Sequence, residues 1–314
     1  MRAVRLLARW LLCALAMYGP LHVLSVVRAD SIGHLHRAVQ SQRLGPLRTL
    51  LVAGLDGDPE SPDALRRSEN HTDVLVLMSS RVGSDVVDVL HIPRDTRVQT
   101  TWGLDKVNGV FRRGGVVALC RAVTALSGAP VQTVVLVDFA KFRKCMAFIG
   151  PLKFWVDRTI VSPEGDLRVS RGWHPLNPAE ALAVVRFRHE PLGDIGRVHR
   201  QERFLRTLVN RCRVLPRAAL GPLVHIAMPG ASTRIVDQLF AVLHPLERYE
   251  AHSVPGAFST GAGVSYWLPD HTGLGALAPI LRGDPGSERT TEALAVWARR
   301  LGWRDVDDGR DRSL

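Results

Sequence analysis

Three short runs rich in valine and leucine, residues 47–54 (LRTLLVAG), 73–79 (DVLVLMS) and 85–92 (DVVDVLHI), constrain the fold most strongly. Each is bounded by turn residues and has the length of a strand rather than a helix, so each predicts a largely buried strand. Further along, residues 114–126 and 139–149 carry helical patterns, with a strand-like stretch, 131–137, between them. Asn177 is placed to cap a helix reaching Val185, with Pro178 in its first turn, and an arginine-rich segment opens another helix from about Gly196. Strands alternating with helices predict a layered α/β or α/β/α sandwich.

The chain has 314 residues, 46% hydrophobic and 23% charged, which is ordinary globular composition. A formal charge of +11 asks for an acidic partner without choosing between nucleic acid, anionic lipid and polyphosphate. Residues 10–27 (WLLCALAMYGPLHVLSVV) are uncharged, just long enough to cross a bilayer, and follow Arg2, Arg5 and Arg9. The expected organisation is a cytoplasmic tail (1–9), a transmembrane helix (10–27), a polar linker (28–45), an exported domain (46–283) and a C-terminal helix with a charged tail (284–314). A cleaved signal peptide ending near Ala29 is the alternative. Either version places the domain outside the cell membrane and disfavours nucleic acid as partner. Cys120, Cys145 and Cys212 show no metal-ligand spacing; buried free thiols and a Cys120–Cys145 disulfide both remain open.

Arg186, Arg188, Arg197, Arg200, Arg203 and Gln201 crowd around a single carboxylate, Asp194. Guanidinium groups stay charged at physiological pH and offer planar forks that match phosphate oxygens, so a phosphorylated ligand is expected. Arg197, Arg200 and Gln201 would share one helical face. Arg186 and Arg188 would point the same way only in extended backbone. A merely solvated basic helix is the competing reading of this stretch.

Carboxylates cluster where strands should end. Asp56 follows the first strand and Asp73 opens the second; at one sheet edge they would form a hard-oxygen site suited to magnesium or manganese. Either alone could equally be a turn or capping aspartate. In HIPRDT, Pro93 ends a strand and leaves Arg94 and Asp95 at its tip, and Lys106 adds a cation before a Gly114-Gly115 turn.

These pieces, in order, resemble the LytR-CpsA-Psr family: Gly54-Leu55-Asp56, His71-Thr72-Asp73, Ile92-Pro93-Arg94-Asp95, Lys106-Val107-Asn108, Gly114-Gly115, Arg186-Phe187-Arg188, Asp194-Ile195-Gly196-Arg197 and Arg200-Gln201. The resemblance covers residues 47–281. It implies an α/β/α sandwich with a central mixed sheet on an N-terminal membrane anchor. It also implies an enzyme that transfers a phosphate-linked glycopolymer from a polyprenyl-pyrophosphate carrier to a sugar hydroxyl of peptidoglycan. By the same resemblance, Asp56 and Asp73 would hold the metal ion, and His71, Arg94, Lys106, Arg186, Arg188, Arg197 and Gln201 would contact the pyrophosphate. Asp73, Arg94, Asp194 and Arg197 would form the catalytic group, Asp194 either orienting the arginines or serving as base toward the acceptor. Independent chemistry agrees, because phosphoryl transfer depends mainly on positioning and on cations aimed at the oxygens that gain charge.

The chain departs from the family pattern in two places. His71 stands where arginine is usual, and an imidazole is charged only when protonated. Gly150-Pro151-Leu152 replaces a glycine-glycine-valine turn, removing a backbone donor. A catalytically weak pyrophosphate-lipid binder or scaffold is therefore the alternative function. The lipid tail needs an apolar groove, for which 116–126 or 139–149 would serve unless they are core. No G-x-S-x-G elbow, P-loop or H-E-x-x-H occurs.

Overall fold

The computed structural model describes residues 49–56, 71–80, 85–162, 165–187, 194–243, 246–259 and 263–284. The chain divides into two compact units, Met1–Leu44 and Gly45–Leu314, and every described residue lies in the second. The expected transmembrane segment at 10–27 and terminal helix near 288–301 lie outside the described residues. Among the described residues no helix is long and apolar enough to cross a membrane.

The core is a five-stranded mixed sheet: β1 (Thr49–Leu55), β2 (Thr72–Ser80), β3 (Val86–Ile92), β6 (Thr133–Val137) and β11 (Arg248–Ser253), in spatial order β11-β3-β2-β1-β6. The pairings β1 with β2 and β2 with β3 are antiparallel, while β1 with β6 and β3 with β11 are parallel. Every residue of β3 is buried, as expected of a strand covered on both faces. That includes Asp88, fully buried on β3, which meets His252 of β11 at 3.1 Å; an isolated carboxylate there would carry a large desolvation cost.

Helices close both faces. On one, α1 (Val107–Ser127) and α7 (His271–Arg282) bring Leu119, Val123, Leu274 and Ile280 against Leu51, Leu77 and Leu90. On the other, α4 (Asp194–Arg213) lays Leu205 and Val209 on Val76, Val87 and Val89. Beside it α2 (Phe139–Ile149), α5 (Arg217–Ala227) and α6 (Thr233–Leu243) pack around Val135, Leu220 and Leu239. The expected α/β/α sandwich is therefore present. A smaller layer holds β7 (Leu152–Val156), paired antiparallel with β10 (Gly172–Leu176), and α3 (Pro178–Arg186). The ribbon β8 (Ile160–Val161) and β9 (Arg168–Val169) joins that pair. The hairpins β4 (Arg97–Thr100) with β5 (Gly103–Lys106), and β12 (Gly256–Phe258) with β13 (Trp267–Pro269), complete the described chain.

Local signals explain most boundaries. Asn177 accepts from the amides of Ala179 and Glu180 while the Glu180 carboxylate accepts from the Asn177 amide, a full capping box ahead of α3. Asp138 likewise caps α2 through the Lys141 amide at 2.7 Å. The Gly114-Gly115 turn expected from sequence is instead a kink inside α1, where Gly115 takes φ 64° and ψ −165°, a region open essentially to glycine. The helix begins seven residues earlier than expected, at Val107 rather than Gly114. Cys120, Cys145 and Cys212 are free thiols. Cys145 neighbours Cys212 in the α2, α5 and α6 cluster rather than Cys120 in α1, so the Cys120–Cys145 bridge does not form.

Candidate functional site

Strand direction gathers the chemistry. The C-terminal ends of β1, β3, β6 and β11 and the start of β2 share one edge of the sheet. Asp56, Asp73, Arg94 and Asp138 follow or open those strands and therefore meet at that edge. Open mixed sheets bind ligands beyond their carboxyl ends for this reason.

Asp56 and His71 close the base of the loop between β1 and β2. The Asp56 amide donates to the His71 carbonyl at 3.1 Å, the His71 amide donates to Asp56 Oδ1 at 2.8 Å, and His71 Nδ1 stands 3.9 Å from Asp56 Oδ2. The register slips between Gly54 and Leu55, opposite Asp73. A Cβ on Gly54 would lie 3.1 Å from Val74 Cβ, so glycine there lets the two carboxylates approach. Burial pushes the Asp56 carboxyl above its ordinary range, and the neighbouring Asp73 charge adds to the rise. Two adjacent carboxylates of which one resists ionisation fit a divalent cation. Among the described residues no group of three or more His, Cys, Asp or Glu side chains could hold a metal. Asp56 and Asp73 are the carboxylates that a divalent cation would use here, with phosphate oxygens and water making up the rest of its shell.

Arg94 Nη1 donates to Asp73 Oδ1 at 3.2 Å, and its Nε lies 3.8 Å from Asp95 Oδ2. The tip that carries it is braced throughout. The amide and hydroxyl of fully buried Thr96 both donate to the Pro93 carbonyl, at 2.9 and 2.6 Å, and the Asn108 amide donates to the Arg94 carbonyl at 3.1 Å. The Trp267 amide donates to the Asp95 carbonyl at 2.9 Å. Lys106 Nζ donates to Asp95 Oδ1 at 2.8 Å, so in this structure its ammonium positions Asp95 beside Arg94.

Much of the arginine-rich segment is bound to the protein itself. Arg200, 3% exposed, donates to the Phe187 carbonyl at 3.1 Å and the Val184 carbonyl at 3.5 Å and lies over the Phe187 ring. Gln201 Nε2 donates to the Val185 carbonyl at 3.2 Å, and Arg203 Nη2 to the Trp155 carbonyl at 2.7 Å. These three fasten α4 to the end of α3 and to β7. Burial pulls the Arg200 value down to about 10, which still leaves it charged at neutral pH.

Arg186 and Arg197 lie at the same sheet edge. Arg186 closes α3, not an extended strand, and its guanidinium lies 4.5 Å from the centre of the Phe139 ring. Phe139 follows Asp138 at the end of β6, so Arg186 reaches the same sheet edge. Helix α4 runs across the sheet with Arg206 over Tyr249, whose register partner is Val87 near the start of β3, and with His199 within electrostatic reach of His91 near the end of β3. Its N-terminus therefore points toward that edge, carrying Arg197, which is 3% exposed. Asp194 begins α4, but its side chain lies outside the described residues, as does Arg188. A helix N-terminus also favours anions through its free amides and dipole. His91 beneath is buried neutral, its value pulled down to about 4 by burial, with His252, His199 and Arg206 adding to the shift.

An apolar cavity of about 180 Å³ lies between the sheet and helices α4, α5 and α6, lined by Leu50, Met78, Leu208, Val224, Leu239 and Leu243 among others. Of the two readings of 116–126 and 139–149, core is the one the structure supports. Leu119 and Val123 of α1 and Met146 and Ile149 of α2 are closed into the core. Sequence reasoning also missed Phe139, the ring beneath Arg186, and Asp138, whose only signal is its position before a helix.

The structure is a mixed α/β/α sandwich with carboxylates and guanidinium groups at one edge of its sheet and an apolar cavity toward the opposite ends of the same strands, beside Leu50, Ser80 and Val87. The family model LytR_cpsA_psr matches residues 31–238, and the chain belongs to the LytR-CpsA-Psr family. It is 29% identical over 158 residues to the polyisoprenyl-teichoic acid–peptidoglycan teichoic acid transferase TagV of Bacillus subtilis (strain 168), covering 47% of this chain and 40% of TagV. It is 23% identical over 223 residues to the transferase TagU of the same organism, covering 68% of this chain and 72% of TagU. The match thus takes in well under two thirds of TagV. The fold is shared with TagT of B. subtilis solved with bound octaprenyl pyrophosphate, at a TM-score of 0.58 and 23% identity over 76% of this chain and 90% of TagT.

Proposed function

We propose that the chain transfers a phosphate-linked glycopolymer from a polyprenyl-pyrophosphate carrier to a sugar hydroxyl of peptidoglycan. The observation that carries this reading is the convergence of Asp56, Asp73, Arg94, Arg186 and Arg197 on one sheet edge; an apolar cavity lies on the α4 face of the same sheet, toward its opposite end. A diphosphate suits the first group and a prenyl chain suits the second. The names of TagV and TagU and the lipid bound to TagT point the same way.

In this proposal Arg94, Arg186, Arg188 and Arg197 enclose the pyrophosphate oxygens, and Asp56 and Asp73 hold a magnesium or manganese ion. When bound, the ion would neutralise charge on the pyrophosphate and on the departing lipid phosphate. The acceptor hydroxyl oxygen bonds to the phosphorus that carries the polymer, and the bond from that phosphorus to the bridging oxygen breaks. The bridging oxygen leaves with the lipid monophosphate, and the hydroxyl proton passes to Asp194. Lys106 acts through Asp95 and Arg94, and Gln201 acts by fixing α4. Burial raises the Asp56 value, so protons compete for this carboxylate at a higher pH than for an ordinary aspartate. Metal-dependent transfer is then expected to fall on acidification, read as initial rate against pH at fixed magnesium. Residues 10–27 would anchor the domain outside the cell membrane.

The position of His71, 3.9 Å from Asp56, favours one second reading, a weakly catalytic lipid-pyrophosphate binder. Magnesium-dependent release of polyprenyl monophosphate from a lipid-linked donor, with the polymer appearing on peptidoglycan, supports transfer. Tight donor binding without release leaves only the binder. His71→Arg is expected to maintain or raise transfer at neutral pH, because the fork is permanently charged. A marked loss in the same assay would give the imidazole a role of its own.

A further inference from the structure

The hairpin of β7 and β10 carries an outward-facing aromatic pair that the proposed chemistry does not use. Leu152, Phe154, Val156 and Leu176 are turned into the core. By alternation Lys153, Trp155, Trp173 and Pro175 occupy the outer face, in the directly opposed pairs Trp155↔Trp173 and Lys153↔Pro175. The two indoles meet edge to face, with ring centres 5.7 Å apart, and Lys153 Nζ lies 5.3 Å from the centre of the Trp173 ring. Trp173 is 59% exposed, so its ring face is open to a ligand.

We propose that this hairpin is a docking surface for the anionic glycopolymer, taking one of its sugar rings on Trp173 and an adjoining phosphodiester on the cations around it. The proposal rests on the transfer reading above. The aromatic face presents negative quadrupole density to the C–H groups of a pyranose ring, and Lys153 holds the indole from one side. Lys153 stands beside the Trp173 ring and Arg171, two residues before it, is exposed, which suits a phosphate-bearing chain; the exposed Asp157 at the end of β7 has Arg158 Nε at 3.9 Å. Position supports the same occupant. Arg203 of α4 donates to the Trp155 carbonyl, and Asp157 and Arg158 at the end of β7 lie within electrostatic reach of Arg200, one helical turn from Arg197. A polymer attached to a pyrophosphate at the N-terminus of α4 would emerge beside this surface. A membrane is the weaker occupant, because both indoles stand mid-strand on a pleated face rather than at a projecting tip.

The test uses the full chain in detergent, with poly(N-acetylglucosamine 1-phosphate) as probe, neutral chitohexaose and anionic phospholipid vesicles as comparisons, and a single-sugar polyprenyl-pyrophosphate donor for release of lipid phosphate. The expected result is that Trp173→Ala weakens binding of the phosphorylated polymer at least tenfold and Trp173→Phe restores part of it. Lys153→Ala should weaken binding about threefold and lessen its salt dependence. Release from the single-sugar donor should be unchanged in all three variants. Equal polymer binding by wild type and Trp173→Ala overturns the inference, as does loss of vesicle binding with polymer binding intact. Absence of lipid phosphate release in wild type, with polymer binding still dependent on Trp173, would instead remove the transfer reading and leave the surface.

Discussion

Arg94→Ala is expected to lower transfer by a factor of about 10² to 10³, or about 3–4 kcal/mol of transition-state stabilisation, while the domain stays folded. The side chain is held toward Asp73 at 3.2 Å on a tip whose backbone is fixed by Thr96, Asn108 and Trp267. Removing it leaves that scaffold in place. The ion pair with Asp73 is partly solvated, both side chains being 20–24% exposed, so its loss should cost stability about 1 kcal/mol at most. Arg94→Lys should fall between, because an ammonium keeps the charge but loses the planar fork. Asp73→Ala should be similarly inactive and should also lose its response to magnesium. Transfer from a lipid-linked donor, together with urea unfolding of each variant, separates these effects. Near-normal transfer by Arg94→Ala would remove Arg94 from the proposed cage.

Arg197 and Arg200 sit one helical turn apart and should fail in opposite ways. Arg200 is closed against the Phe187 and Val184 carbonyls, so Arg200→Ala strands buried acceptors and opens the seam between α3 and α4. A loss of about 2–4 kcal/mol is expected in urea unfolding. Arg197→Lys keeps the charge and most of the volume at the N-terminus of α4. It is expected to cut transfer at least tenfold through loss of the bidentate grip, while shifting the unfolding midpoint less than Arg200→Ala does. If Arg200→Ala proved as stable as wild type and Arg197→Lys as active, the division of this helix into a fastening face and a ligand-facing residue would be wrong.

The fastening role of Arg200 and Gln201 was not legible in the sequence. Arg197, Arg200 and Gln201 share one face by spacing, yet two of the three bond to carbonyls at the end of α3, which chain periodicity does not bring to mind. The strands β1, β2 and β3 were legible because their valine and leucine runs end at turn residues. The α3 start was legible from Asn177 and Pro178. The first two turns of α1 were hidden, since the glycine pair within VNGVFRRGG signals a turn. Gly114 has another reason to be glycine, because a Cβ there would stand 2.7 Å from the Trp102 ring. Strand β11, RYEAHS, shows no apolar alternation; it forms because it pairs in parallel with β3 and shelters Asp88 with His252. The cavity came from tertiary packing as well: α5 and α6 carry ordinary apolar faces, and only their spacing from the sheet distinguishes a groove from core.

A crystal structure of the full chain with a polyprenyl pyrophosphate and magnesium tests the central assignment most directly. The account predicts phosphate oxygens within hydrogen-bonding distance of Arg94, Arg186 and Arg197, the ion on Asp56 and Asp73, and the prenyl chain in the cavity beneath α4, α5 and α6. A headgroup bound elsewhere, with those side chains turned to unrelated surfaces, would contradict it.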